Sequence, residues 1–309
     1  MVAATIPSPT DVGALANRIN FHTRDQHNKI DKQMSMKFAF AMKHGFIYRQ
    51  GVLAFYYVFD AIEQEIDRLL QDAVTTEELQ TRDILRQFWC DEFRRSARIF
   101  KDLELLYARE YPTSESLNEF LNEHKLPAEQ QAFVDYVHNG IREQPTSVLA
   151  YCHVLYLALF AGGRVMRSTI YRHTGLFPKF PDLTPQEVVH RGTNFFTFSD
   201  EGVEAENKLR WEYKRGYELA TRTGLSEEQK LHILDVANDI FDWNMRVIQE
   251  IGEINRQELM GKMSFRLLSF ALEEWKYTNK LSKQQKTLVL AVGAALQFLI
   301  LYWFVRRLL

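Results

Sequence analysis

Eight prolines punctuate this chain, at Pro7, Pro9, Pro112, Pro127, Pro145, Pro178, Pro181 and Pro185. The tracts 10–111 and 186–309 hold none, so neither contains the residue that removes a backbone donor and breaks a helix. Both tracts carry the helical period rather than the strand period. Val52, Phe55, Phe59, Ile62, Ile66 and Leu69 recur at three- and four-residue steps, and so do Leu234, Ala237, Phe241, Asn244, Ile248 and Ile251. Helix starts are legible at Thr10-Asp11 and at Ser226, where Gln229 completes a capping box. The expected fold class is therefore all-α: a flexible amino-terminal segment 1–9, then one multihelical domain over 10–265. The stretch "TGLFPKFPDLTP" (174–185) is its main loop.

The carboxyl end follows a different rule. Residues 287–305, "TLVLAVGAALQFLILYWFV", run nineteen positions without a charge, within the roughly 17–25 residues that a bilayer core requires. Lys280, Lys283 and Lys286 precede the run, Tyr302 and Trp303 lie near its end, and Arg306 and Arg307 follow. Aromatic and cationic residues are what membrane interfaces prefer. The expectation is a helical connector over 266–286, a transmembrane tail anchor over 287–305 and a short lumenal tail over 306–309. The alternative is a buried core helix. The anchored domain would face the cytosol, with the endoplasmic reticulum as the expected membrane and the outer mitochondrial membrane as the other choice.

Composition narrows the function classes. A formal net charge of −2 argues against nucleic acid as the main partner, which calls for a basic patch. The two cysteines, Cys90 and Cys152, have no metal-ligand or redox spacing, which fits a reducing compartment. The opening "MVAATIPSPTDVG" has neither a basic n-region nor an apolar h-region, so no secretory signal is expected. Dinucleotide, P-loop, zincin and nucleophile-elbow motifs are absent from the sequence. Electrons for any redox chemistry must come from another protein.

Four stretches could carry chemistry. In "YLALFAGGRVM" (156–166) two adjacent glycines, Gly162 and Gly163, interrupt an apolar helix. Each costs roughly 0.5–1 kcal/mol relative to alanine, so either a helix packs very close there or a flat group lies on the bared backbone. In "NFHTRDQHNKIDKQM" (20–34), His27 falls on the apolar side with Arg24 nearby; it reads as a satisfied core or surface histidine, or as a metal or haem ligand. In "NKLRWEYKRGYEL" (207–219), Arg210 and Lys214 lie four apart and flank the stripe Leu209, Tyr213 and Tyr217; they are a solvated face or an anion clamp. In "GTNFFTFSD" (192–200), Phe195, Phe196 and Phe198 are either core or the edge of a pocket. Together these parts suit a flat, apolar dianion bearing a metal, for which haem has the right shape and charge.

At these residues the chain resembles the haem oxygenase family, and most closely its fungal, membrane-anchored branch, over roughly residues 10–254. "TRDQHNKID" (23–31) is similar to the proximal-helix motif, "AIEQEIDR" (61–68) to the acidic run of the next long helix, and "YLALFAGGRVM" to the distal helix. The resemblance implies His27 as axial iron ligand, Gly162 and Gly163 as the catalytic distal backbone, and Arg24, Arg210 and Lys214 as propionate partners. It also implies Ala158, Leu159, Phe195, Phe196, Phe241 and Asn244 as pocket residues. The distal side departs from the family's Tyr-Leu-Gly-Asp-x-Ser-Gly-Gly form. Ala158 replaces a glycine, Leu159 the aspartate, Leu155 an arginine and Phe59 a tyrosine. His153 is the candidate substitute polar group, or else an ordinary helix histidine.

As the resemblance implies, haem b would serve as substrate and cofactor. With O2, and electrons from NADPH through a membrane-bound diflavin reductase, it would be cleaved to biliverdin, carbon monoxide and ferrous iron. The competing readings are a haem buffer or sensor that lost the distal acid, a peroxidase-like haem protein, and a tail-anchored helical adaptor without haem.

Overall fold

The computed structural model describes residues 11, 13–26 and 44–262. His27 and the run 287–305 lie outside the described residues. Among those described, all regular structure is helical. One compact unit extends to Glu253, and Ile254 opens a second, of which one short helix, α12 (Arg256–Met260), is described.

In the first unit, α1 spans Leu15–His22, four residues past the start read at Thr10-Asp11. The Asp11 carboxylate instead closes a turn by accepting from the Gly13 N–H at 2.9 Å, and it pairs with Arg222 at 2.6 Å. The long helix α2 (Gly45–Asp72) carries the stripe Val52, Phe59, Ile62, Ile66 and Leu69, all buried. This stripe packs α2 against α4 (Ser96–Leu106) and α6 (Ala128–Glu143). Between these run α3 (Thr76–Leu85), started by a Thr75–Glu78 capping box, and α5 (Ser114–Glu123). The expected Ser226–Gln229 box is present: Ser226 N–H donates to Gln229 Oε1 at 3.0 Å, and Gln229 N–H to Ser226 Oγ at 3.2 Å. It opens α11 (Glu227–Ile254).

The apolar middle of the chain forms one long helical rod. After a 3-10 turn at Pro145–Ser147, α7 (Val148–Tyr151) widens into a π-helical turn at Cys152–Tyr156 and continues as α8 (Leu157–Tyr171). A widened turn misaligns backbone carbonyls with the amides that would normally meet them. Here Tyr213 Oη donates to the Cys152 carbonyl at 2.8 Å, and Tyr217 Oη to the Leu149 carbonyl at 3.0 Å. Both tyrosines come from α10 (Val203–Gly224) and are fully buried. This rod, Pro145–Tyr171, is the one described helical run long and apolar enough to cross a bilayer; 67% of its most apolar window is buried in the protein, which makes it a core element. The helix α9 (Pro185–Arg191) and the 3-10 turn Asn194–Phe196 pack against it.

Candidate functional site

The two glycines of α8 do different things. A Cβ on Gly163 would come within 3.1 Å of the Phe196 carbonyl oxygen, so this glycine admits the protein's own loop. A Cβ on Gly162 would meet nothing within 4 Å among the described residues. Ala158 and Val165, one turn to either side, are exposed on the same face. The result is a stripe of short side chains along the rod, with Gly162 at its centre. Of the two expectations for the glycine pair, close packing or a flat ligand, close packing holds at Gly163, while the backbone at Gly162 is open among the described residues.

The loop against Gly163 is held by two buried charges that the sequence reading missed. Arg95, fully buried, donates to the carbonyls of Glu92 at 2.7 Å, Phe93 at 2.9 Å and Thr197 at 2.8 Å. Its guanidinium carbon lies 3.9 Å from the Phe198 ring centroid. Burial, then the nearby Arg98, lowers its pKa to about 9, so it stays cationic at neutral pH. Asp102, also fully buried, accepts from the Asn194 and Phe195 N–H groups at 2.9 and 2.8 Å and from Asn194 Nδ2 at 2.8 Å. Burial pushes its carboxyl up to about 7 against the pull of these donors. A signal existed: Asp102 sits among Ile99, Leu103 and Leu106 on the buried stripe of α4.

The three phenylalanines of this loop are buried in the core. Phe195 lies 5.5 Å from Phe59 and 4.6 Å from Phe196, and Phe198 is buried beside Phe160. Tyr156, in the π-turn, donates to the buried Glu63 at 3.0 Å. Glu63 is fixed in turn by the Arg95 N–H and by Ser96, and burial raises its pKa. The neighbouring positions are apolar: Phe59 and Leu155 are buried, and Leu159 is half-buried against the core.

On α10, Arg210 and Lys214 are half-buried, and neither forms an ion pair among the described residues. Burial first, and then Arg210, lowers the Lys214 pKa. Beside them His153 is buried, with Nε2 donating to Asn20 Oδ1 at 3.0 Å and Nδ1 without a partner among the described residues. Burial and then the Lys214 charge push the imidazole down to about 4. On α11, half-buried Asn244 donates from Nδ2 to the Ile240 carbonyl at 2.7 Å while its Oδ1 has no partner among the described residues, and Phe241 is half-buried against the core. Arg24, by contrast, is exposed, 3.9 Å from Asp25 and over the Phe21 ring at 5.8 Å. A face of small residues and two cations without carboxylates is what a flat dianion needs. The residues present fit haem.

The model of the family described as heme oxygenase matches residues 13–250. The chain belongs to the haem oxygenase family. It is 58% identical over 307 residues to the heme-binding protein HMX1 of Saccharomyces cerevisiae, covering 98% of this chain and 96% of that one. It is 25% identical over 243 residues to the heme oxygenase of Porphyra purpurea, covering 78% and 88% of the two chains. The fold is similar to that of Synechocystis heme oxygenase-1 in complex with heme, with a TM-score of 0.60 at 22% identity, covering 82% of this chain and 99% of that one.

Proposed function

We propose that this protein binds haem against the Ala158–Gly162–Val165 face and cleaves it, with oxygen and external electrons, to biliverdin, carbon monoxide and ferrous iron. The observation that carries the reading is Gly162: a helix-interior glycine with nothing among the described residues within 4 Å of an added Cβ, at a cost that a ligand approaching the backbone would offset. Bound haem supplies both the iron that takes oxygen and the ring that is opened.

The chain's own residues position it. His27 would ligate the iron. Arg210 and Lys214 would hold the carboxylates through charge-assisted bonds, worth more there than in water because burial has already removed part of their solvent. Phe195 and Phe196 border the rod and keep water from its end. The π-turn, clamped by Tyr213, Tyr217 and the Glu63–Tyr156 bond, sets the angle of α8. Orientation of this kind contributes as much as about 7–11 kcal/mol in the best intramolecular cases. Proton delivery has no side-chain acid at Leu159, so ordered water on helix carbonyls must supply it. The run 287–305 would anchor the domain on the cytosolic face of the endoplasmic reticulum, beside a membrane-bound NADPH-dependent diflavin reductase.

A second reading is favoured by one feature. Phe59, Leu155 and Leu159 make the distal side apolar, and a relative at 58% identity is called a heme-binding protein. The protein would then hold haem without consuming it. The full-length chain in detergent, loaded with haem and supplied with NADPH and a diflavin reductase under air, separates the two. Biliverdin with one carbon monoxide per haem lost supports the oxygenase. A stable Soret band through many reductant turnovers supports the binder, and a chain that takes up no haem sinks both.

A further inference from the structure

Three fully buried tyrosines converge on the π-turn, and their acceptors differ in kind. Tyr213 and Tyr217 donate to the Cys152 and Leu149 carbonyls. Tyr156 donates to Glu63 Oε1 at 3.0 Å. The difference bears on redox chemistry. An oxidised phenol must shed its proton at once, and a carboxylate can take that proton where a carbonyl cannot. Glu63, itself buried, also accepts from the Arg95 N–H, the Ser96 N–H and the Ser96 hydroxyl, and these donors favour its charged form. Burial, then the Glu63 charge, raises the Tyr156 pKa well above its ordinary value. No phenolate forms beforehand, so electron and proton must leave together. Burial also raises the Glu63 pKa, which makes it a stronger base.

The second observation is Trp89, whose ring centroid lies 5.0 Å from that of Tyr156 with the planes at 82°. Trp89 is half-buried, yet its Nε1 is buried with no partner among the described residues, a state that native proteins seldom leave unresolved. An oxidised indole without an acceptor keeps its proton and stays a strong oxidant, so it draws an electron from a ring that it touches. Phe93, at 6.1 Å, is far harder to oxidise than a phenol on a carboxylate. We propose that Tyr156 gives one electron through Trp89 to a one-electron oxidant while its proton passes to Glu63. The Tyr156 O–H bond breaks, an O–H bond forms on Glu63, the phenol becomes a neutral phenoxyl radical, and the oxidant is reduced by one electron. An electron from a small-molecule reductant, returning by the same route with the Glu63 proton, restores the pair. The oxidant belongs to the class of radicals and metal centres that peroxide generates from haem; only that source rests on the haem reading.

Flash-quench photolysis of the full-length chain in detergent, without haem, tests this, so the proposal and the haem reading fail separately. A ruthenium tris-bipyridine photo-oxidant is attached at Gln87→Cys, an exposed position two residues from Trp89, in a Cys90→Ser background. After the flash, an indole radical converts to a tyrosyl radical, followed by transient absorption and freeze-quenched electron paramagnetic resonance. The conversion is at least twofold slower after equilibration in D2O. Tyr156→Phe, which keeps the ring against Phe59, abolishes it, and Glu63→Gln slows it at least tenfold. Tyr136, which donates to Asp239 at 2.7 Å, is the competing donor, and conversion that survives Tyr156→Phe at the parent rate overturns the proposal. So does an indole radical that decays in the parent without a tyrosyl signal. A rate and deuterium effect in Glu63→Gln equal to the parent's overturn it as well.

Discussion

His153 Nε2 donates to Asn20 Oδ1 at 3.0 Å, joining the π-turn of the rod to α1. The bond fixes the imidazole as the neutral Nε2–H tautomer, since the amide oxygen only accepts. Burial and the Lys214 charge hold its pKa at about 4 rather than the ordinary 6.5. The unfolded chain therefore binds a proton between these values that the native state refuses, and stability falls as pH drops through this window. The loss amounts to roughly 3 kcal/mol by pH 4. Urea unfolding of wild type and His153→Gln at pH 4.5, 5.5 and 7 measures it. The difference between the two should grow with pH over that range; a flat difference would show that the buried imidazole titrates normally.

Gly162 and Gly163 part company on substitution. Gly162→Ala adds a methyl group where nothing among the described residues lies within 4 Å, and it gains helix propensity of roughly 0.5–1 kcal/mol. Its melting temperature without haem should rise by a few degrees while its haem affinity falls at least tenfold. Gly163→Ala sets the same methyl against the Phe196 carbonyl at 3.1 Å, so it should lose the propensity gain to strain in the loop. Differential scanning calorimetry and Soret titration of the two variants make the comparison. A Gly162→Ala protein that binds haem like wild type would remove the main support for the site.

How much of this was legible in the sequence depends on the range of the interaction. The stripes of α2 and α11, the Ser226–Gln229 box and the basic pair Arg210 and Lys214 are local, so spacing along one helix revealed them. The π-turn was not legible. Cys152–Tyr156 contains no glycine or proline, and the hydroxyls that meet its neighbouring carbonyls arrive from Tyr213 and Tyr217, some 60 residues on. Arg95 is hidden for the same reason: its acceptor at Thr197 lies 102 positions away. The glycine pair read as one feature because sequence cannot tell open space from a neighbouring carbonyl.

Arg95→Met tests the loop anchor. The side chain is fully buried and satisfies three carbonyls, and methionine fills similar volume without a donor. The orphaned carbonyls should cost about 2–4 kcal/mol in total. The loss should appear both as a lower urea midpoint and as new proteolytic cleavage within 193–199. A midpoint shift without loop cleavage would mean that Arg95 supports the bundle rather than the loop.

Leu159→Asp asks whether an acid is needed on the distal side. Leu159 is half-buried, one position after the exposed Ala158, so a carboxylate there can reach solvent-borne water and should cost no more than about 1–2 kcal/mol of stability. If ordered water on helix carbonyls delivers protons inefficiently in the wild type, the carboxylate should organise that water and raise the rate of biliverdin formation several-fold, with haem affinity unchanged. If the wild type only holds haem, the same substitution should convert a stable reduced complex under air into one that decays to biliverdin. Stopped-flow spectra and carbon monoxide yield distinguish these outcomes. A variant that matches wild type in both would show that proton supply at this position does not limit the chemistry, and would move attention to the His153–Lys214 side of the rod.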